Sequence, residues 1–187
     1  MSEPASTASV PYEEYLRLER EAAQRHEWID GEVFAMAGGT IEHARLQATL
    51  ARVLGNALLG GPCRVYSADL RVRSLATNIA TYADLTIVCG EATTASDDPD
   101  GVTNPTLVVE VLSPSTEAYD RGQKAAHYRR IPSLRAYLLV AQDAPRIELF
   151  VRGQRGRWEF VEAGAGESLV LDSVGCTLLV DEVFGAE

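Results

Sequence analysis

The stretch TLVVEVL, Thr106 to Leu112, decides the fold. It is apolar on both faces, as a strand in the middle of a sheet must be. Yet it carries a carboxylate at its centre, Glu110. Thr106, Val108 and Leu112 share the face of Glu110, and Leu107, Val109 and Val111 form the other. A charge in such a strand is costly unless it is paired or holds a metal. Glu110 therefore either bridges to a buried arginine or belongs to a site.

The neighbouring segments favour a site. Upstream, YADLTIVC (Tyr82 to Cys89) reads as a strand with Asp84 near its start. Two acids on consecutive strands can point to the same sheet edge, and two carboxylates with waters make the usual oxygen site for Mg²⁺. Downstream, Ser113 to Thr116 is a turn, and Glu117 to Arg130 reads as a helix stopped before Pro132. That helix holds Lys124, the only lysine among seventeen basic residues. Arginine cannot replace a compact ammonium with three rotatable donors and a tunable pKa. Arg121 and Tyr128 lie at helical spacing from it. From residue 116 to 124 is about 12 Å of helix, so a helix folded back over the strand brings the ammonium to the two acids. There it can hold an attacking water or neutralise developing charge. The plainer alternative pairs it with Asp120 on the surface.

Further out, Tyr12 to Ala23 reads as a helix. HEWIDGEVFAM, His26 to Met36, reads as a hairpin about Asp30-Gly31. Thr40 caps a long helix whose Leu46, Leu50, Val53, Leu54 and Leu58 repeat at helical spacing. Glu42 and His43 stand at its start. Glu42 either joins the carboxylates or favours the helix N-terminus, and His43 either faces the site or is a satisfied core residue. Cys63 to Arg73 reads as a strand in which Asp69 either joins the cluster or pairs with Arg71 or Arg73. Gly90 to Asn104 reads as an acidic loop. Arg135 to Ala141, Arg146 to Val151 and Trp158 to Val161 are strands, the last two paired across GQRG, and the tail from Glu167 is a covering layer. The order predicts α/β (α+β) architecture, a mixed central sheet flanked by helices, in a single domain at residues 11–187 after a mobile tail at 1–10.

Composition bounds the function. Hydrophobic content of 46% and charged content of 24% are those of a globular domain. No apolar run is long enough for a membrane, and MSEPASTASV lacks the features of a secretory signal. Cys63, Cys89 and Cys176 read as buried free thiols in a reducing, cytoplasmic compartment. A net charge of −10 argues against broad non-specific binding of nucleic acid, though a small basic groove can sit on an acidic body. There is no nucleophile elbow around Ser113 or Ser115 and no glycine-rich phosphate loop.

Asp84, an acid in a hydrophobic strand, and a following lysine together resemble the PD-(D/E)XK nucleases. More closely, the chain resembles the large bacterial Uma family, long known as a domain of unknown function and assigned to the restriction endonucleases. The likeness runs through YEEYLRLE, HEWIDGEVFAMAGGT, IEHARLQATLARVL, YADLTIV, NPTLVVEVLSPST and YDRGQKAAHYRRIPSLRAYLLV. It implies a restriction-endonuclease-like core, Asp84 and Glu110 as metal ligands, and Mg²⁺ as the ion, with Mn²⁺ as a substitute. Two positions depart from the motif: Ala83 replaces its proline and Leu112 its lysine. The resemblance implies that the lysine has moved to the following helix, as Lys124, and that Glu42 matches a first-helix acid.

The expectation is a Mg²⁺-dependent endonuclease acting on DNA as a homodimer. Asp84, Glu110, Lys124 and Glu42 are its catalytic group, and Asp69, His43, Arg121 and Tyr128 give possible support. The alternatives are a nuclease-like binding module without catalysis and a hydrolase of a small phosphorylated molecule.

Overall fold

A computed structural model describes residues 9–36 and 38–185. Most of the predicted tail lies outside the described residues. Val10, placed in that tail by the sequence, is held: its N–H donates to Gly31 O at 2.8 Å and its carbonyl accepts from Trp28 Nε1 at 2.8 Å.

The elements run α1 (Tyr12–Glu21), β1 (His26–Ile29), β2 (Glu32–Ala35), α2 (Ile41–Ala57), β3 (Cys63–Ser67), β4 (Arg71–Ser74), β5 (Ile79–Tyr82), β6 (Leu85–Cys89), β7 (Thr94–Ala95), β8 (Asp98–Val102) and β9 (Leu107–Val111). A composite helix follows: α3 (Glu117–Tyr119), a π-helical turn (Asp120–Lys124) and α4 (Ala125–Tyr128). The chain closes with β10 (Ala136–Val140), β11 (Arg146–Arg152), β12 (Trp158–Gly164), β13 (Ser168–Leu171), β14 (Cys176–Leu179) and α5 (Val180–Phe184).

The central sheet has the order β12-β11-β10-β9-β6-β3. It is mixed, because β9 and β10 are parallel and the other neighbours antiparallel. A parallel pair needs a crossover connection, which the composite helix supplies. One face of this sheet packs Leu85, Ile87, Val109 and Leu138 against Leu46, Leu50 and Leu54 of α2 and against the β13–β14 hairpin and α5. The other packs Val88, Val108, Tyr137 and Leu139 against Ala125, Tyr128, Ile131 and Leu134. Glu110 lies opposite Leu139 in register and so points to this second face. The mixed sheet flanked by helices agrees with the sequence reading, as does the tail as a covering layer.

A second sheet, β2-β1-β5-β4-β8-β7, was not foreseen. Both strands read as continuous from the sequence are split between the two sheets. Cys63 to Arg73 breaks at a turn into β3 and β4, and Tyr82 to Cys89 breaks at Ala83-Asp84 into β5 and β6. The expected acidic loop instead forms β7 and β8, because Asp98 is fully buried against Arg71 (2.6 and 2.9 Å). The hairpin about Asp30-Gly31 is present, with positive φ at both residues (47° and 99°). Thr40 caps α2 by accepting from His43 N at 3.0 Å.

The cysteine reading is corrected. Cys63 and Cys89 are bonded as a disulfide, and only Cys176 is free. The two are direct partners across the antiparallel pair β3–β6, a proximity that a separation of 26 residues conceals. Among the described residues no helix is long and apolar enough to cross a membrane.

Candidate functional site

The point where the chain passes from one sheet to the other builds the site. Asp84 sits in that passage, between β5 and β6. Its Oδ2 accepts the N–H of Val111 at 2.7 Å, and its own N–H reaches Glu110 Oε2 at 3.4 Å. The two acids expected on adjacent strands thus stand side by side. Gln47 of α2 donates to Asp84 Oδ1 at 3.3 Å and to its carbonyl at 3.1 Å, and His43 Nε2 stands 3.2 Å from Asp84 Oδ2. His43 therefore faces the site. The Asp84 carboxylate raises the imidazole pKa, against the opposing effect of burial.

Lys124 closes the group from above. It is 4% exposed, and its Nζ stands 2.9 Å from Glu110 Oε1, 3.1 Å from Glu27 Oε1 and 3.9 Å from Asp120 Oδ1. It also donates to Tyr82 O at 2.8 Å. The surface pairing with Asp120 alone is thereby excluded, and so is a buried arginine as the partner of Glu110. The π turn matters here. One wide turn carries both Asp120 and Lys124 inward, and such turns recur at functional sites.

Glu27, on β1, is the residue that sequence reasoning missed. It accepts from Tyr82 N at 3.3 Å and from Tyr119 Oη at 3.0 Å, and reaches Lys124. The only signal was a carboxylate within the short hairpin strand HEWI, where a polar residue is ordinary.

Four carboxylates thus surround one lysine and one histidine. Burial, reinforced by Asp120 and Asp84, pushes the Glu110 pKa well up despite the opposing Lys124. Burial likewise raises Asp120. Lys124 stays firmly protonated: burial works against its charge, and Glu110 and Glu27 outweigh that. An excess of buried negative charge remains. That excess, and donors that are all hard oxygens at Asp84 and Glu110, fit a divalent cation of the Mg²⁺ type. Among the described residues no three His, Cys, Asp or Glu side chains form a ready cage. The fit is accordingly to an ion held by two carboxylates and completed by non-protein oxygens. The group opens into a cavity of about 290 Å³, lined also by Phe34, Met36, Ser113 and Tyr119.

Four expected residues stand elsewhere or act differently. Glu42 is bound to Arg45 on the surface of α2 (2.6 and 2.9 Å), in its first turn. Asp69 is exposed and paired with Arg25 at 3.0 Å, not with Arg71 or Arg73. Arg121 turns away to Glu148 and Glu117. Tyr128 does reach the site, donating to Glu110 Oε1 at 3.3 Å, but it is fully buried and cannot touch a bound molecule.

A mixed sheet between two helical layers, with paired acids at a strand end and a lysine on the crossover helix, defines a domain of restriction-endonuclease-like fold. A solved structure titled a "putative nuclease belonging to DUF820", from Anabaena variabilis, superposes with a TM-score of 0.73 at 16% identity, over 91% of this chain and 95% of that one. The family Uma2, described as "Putative restriction endonuclease", matches residues 12–181, and the chain belongs to it. Two Synechocystis proteins without an assigned activity are similar. The protein slr1290 is 36% identical over 96% of both chains, and sll1609 is 32% identical over 84% of this chain and 89% of its own.

Proposed function

We propose that this protein is a Mg²⁺-dependent endonuclease that hydrolyses phosphodiester bonds of DNA. The observation that carries the proposal is the meeting of Asp84, Glu110 and the chain's single lysine in the lining of one cavity. Asp84 and Glu110 would hold the ion, with Mn²⁺ as a substitute. When bound, the ion neutralises charge on the phosphate and lowers the pKa of a water.

The side chains do the remaining work. Val111 N–H and Gln47 orient the Asp84 carboxylate. Tyr128 and Lys124 orient that of Glu110. Lys124 spends its three donors on Glu110, Glu27 and Tyr82 O, so its part is to fix Glu110 and lend positive charge to whatever the carboxylates hold. To hold a water itself it would have to release one of these partners. His43, beside Asp84 and lining the cavity, is placed to exchange a proton with a bound water or leaving oxygen. Glu42, Asp69 and Arg121 have no part in this scheme.

A homodimer belongs to the same proposal, since two copies supply the two active sites that cutting both strands requires. The second reading is hydrolysis of a small phosphorylated molecule, favoured by the small cavity. The test is incubation of plasmid and single-stranded DNA, and of a small phosphodiester, with Mg²⁺ or Mn²⁺. Metal-dependent nicking by the parent protein that is lost in Asp84→Asn and Glu110→Gln is the expected result. Turnover of the small ester alone would replace DNA as substrate. Inertness towards all three would leave a binding module.

A further inference from the structure

The charge of this chain is unevenly distributed. Residues 121–157 carry nine of its seventeen lysines and arginines and only two acids, Asp143 and Glu148. The other 150 residues carry eight basic and 25 acidic side chains. Folding sorts the basic stretch further. Lys124 is buried in the site, and Arg121 and Arg146 face Glu148. The remaining six (Arg129, Arg130, Arg135, Arg152, Arg155 and Arg157) form no ion pair among the described residues.

These six meet at one end of the central sheet. Arg135 precedes β10, Arg152 ends β11, and Arg155 and Arg157 lie in the connection to β12. Arg152 organises them. Its Nε donates to Leu134 O at 2.7 Å, and its Nη2 to Arg129 O at 2.7 Å and Ile131 O at 2.8 Å. Its guanidinium lies over the Trp158 ring at 4.7 Å. That fastens the 129–135 connection against the end of β11 and leaves Arg130, Arg135, Arg155 and Arg157 exposed. Glu159 is the one carboxylate lining the hollow beside Arg155 and Arg157. Partial burial and the neighbouring Arg135 lower the Arg152 pKa.

We propose that this arginine surface is a second contact for nucleic acid, gripping the phosphate backbone away from the acidic site. It lies at the start of β10, opposite the start of β9, whereas Asp84 and Glu110 lie at the other end of β9. Five strand residues span roughly 17 Å, comparable to about five steps along a nucleic-acid strand. Arginine forks match phosphate oxygens in pairs of hydrogen bonds. A membrane surface fits less well, because binding in the lipid interface calls for an amphipathic helix. Among the described residues the α-helix here, α4, has four residues and buries Ala125 and Tyr128 in the core, and a 3-10 turn at Gln154–Gly156 has three. The choice of nucleic acid rests on the proposed function; the surface itself does not.

The test is binding, kept separate from cleavage by working in EDTA. Anisotropy of a fluorescent 30-base-pair duplex would be measured over a salt series. The proteins are the parent, the triple variant Arg130→Gln/Arg135→Gln/Arg155→Gln, and the same three positions changed to Lys. All three variant positions are exposed, and thermal melting checks the fold. The expected result is at least a tenfold weaker Kd for the Gln variant. Its log–log salt slope should be shallower by about 0.9 for every phosphate it no longer neutralises, and the Lys variant should keep most of both. No duplex binding by the parent, or equal Kd and slope in the Gln variant, would overturn the proposal. Binding to phosphatidylserine vesicles without binding to duplex would reassign the surface to a membrane. Duplex binding through these arginines with no cleavage under any metal would remove the nuclease reading and leave this surface standing.

Discussion

Lys124 has three ammonium hydrogens and three near acceptors, two of them carboxylates. Its rarity among the basic residues pointed to it before any geometry, because rarity survives in composition. Glu27 did not stand out, since nothing in HEWIDGEV separates a carboxylate that faces a lysine from one that faces water. Glu27→Gln tests its part as a positioning residue. With Glu110 less firmly held, we predict a drop of about 10- to 100-fold in metal-dependent cleavage or metal affinity, the usual effect of removing a supporting partner. Wild-type values in both would contradict that role. Asp98 provides the clearest pH argument at the residue scale. Burial alone would raise its pKa, but the Arg71 guanidinium and the Tyr12 hydroxyl hold it below its ordinary value of 3.8. Its contribution to stability is therefore complete above about pH 4 and is lost as the pH falls through the lower folded value. Asp98→Ala, which strands the Arg71 charge in the interior, should cost about 3–5 kcal/mol. Denaturant titrations of the two proteins at pH 7 and over the acid range check both statements.

Among elements, the legible ones were those whose signal is local. The Asp-Gly turn, the Thr40 cap and the two-faced apolar run at Thr106 to Leu112 each need only a few neighbouring residues, and each is present. Features that depend on partners far along the chain were not legible. A strand that changes sheets at Ala83-Asp84 keeps an unbroken apolar pattern, so YADLTIVC reads as one strand when it is parts of two. The predicted helix at 117–130 was right in place and wrong in winding. Its π turn has no local marker, since an inserted residue in a helix leaves the apolar period nearly intact over so short a length. Removing Gly122, an exposed glycine whose Cβ position meets nothing within 4 Å, should restore α winding there. A π turn is one residue inserted into an α-helix, so its removal leaves the flanking residues facing as before. We predict a folded protein by circular dichroism in which Lys124 still meets Glu110 and any cleavage activity falls by less than about tenfold. A loss of about 100-fold or more would show that the wide turn itself is required.

The molecule as a whole is held by two layers on a mixed sheet, a second sheet that carries Glu27, and one covalent cross-link. Cys63–Cys89 closes a loop with a sequence separation of 26, for which chain entropy alone gives about 3.5 kcal/mol of stabilisation. Cys63→Ser/Cys89→Ser should lower the free energy of unfolding by that order, and reductant should bring the parent protein to the same value. Insensitivity to both would show that the bond adds nothing. Sequence spacing could not reveal this pairing, because it depends on β3 and β6 being neighbours in register. The overall charge of −10 was equally uninformative about the site, since an average conceals the arginine end of the sheet.

The central claim is that Asp84 and Glu110 together hold a divalent ion. Crystals grown with Mn²⁺ and measured at a wavelength where manganese scatters anomalously test it most directly. One strong peak in contact with both carboxylates is expected, absent in Asp84→Asn. Anomalous density elsewhere in the molecule, or none at these two side chains at saturating Mn²⁺, would contradict it.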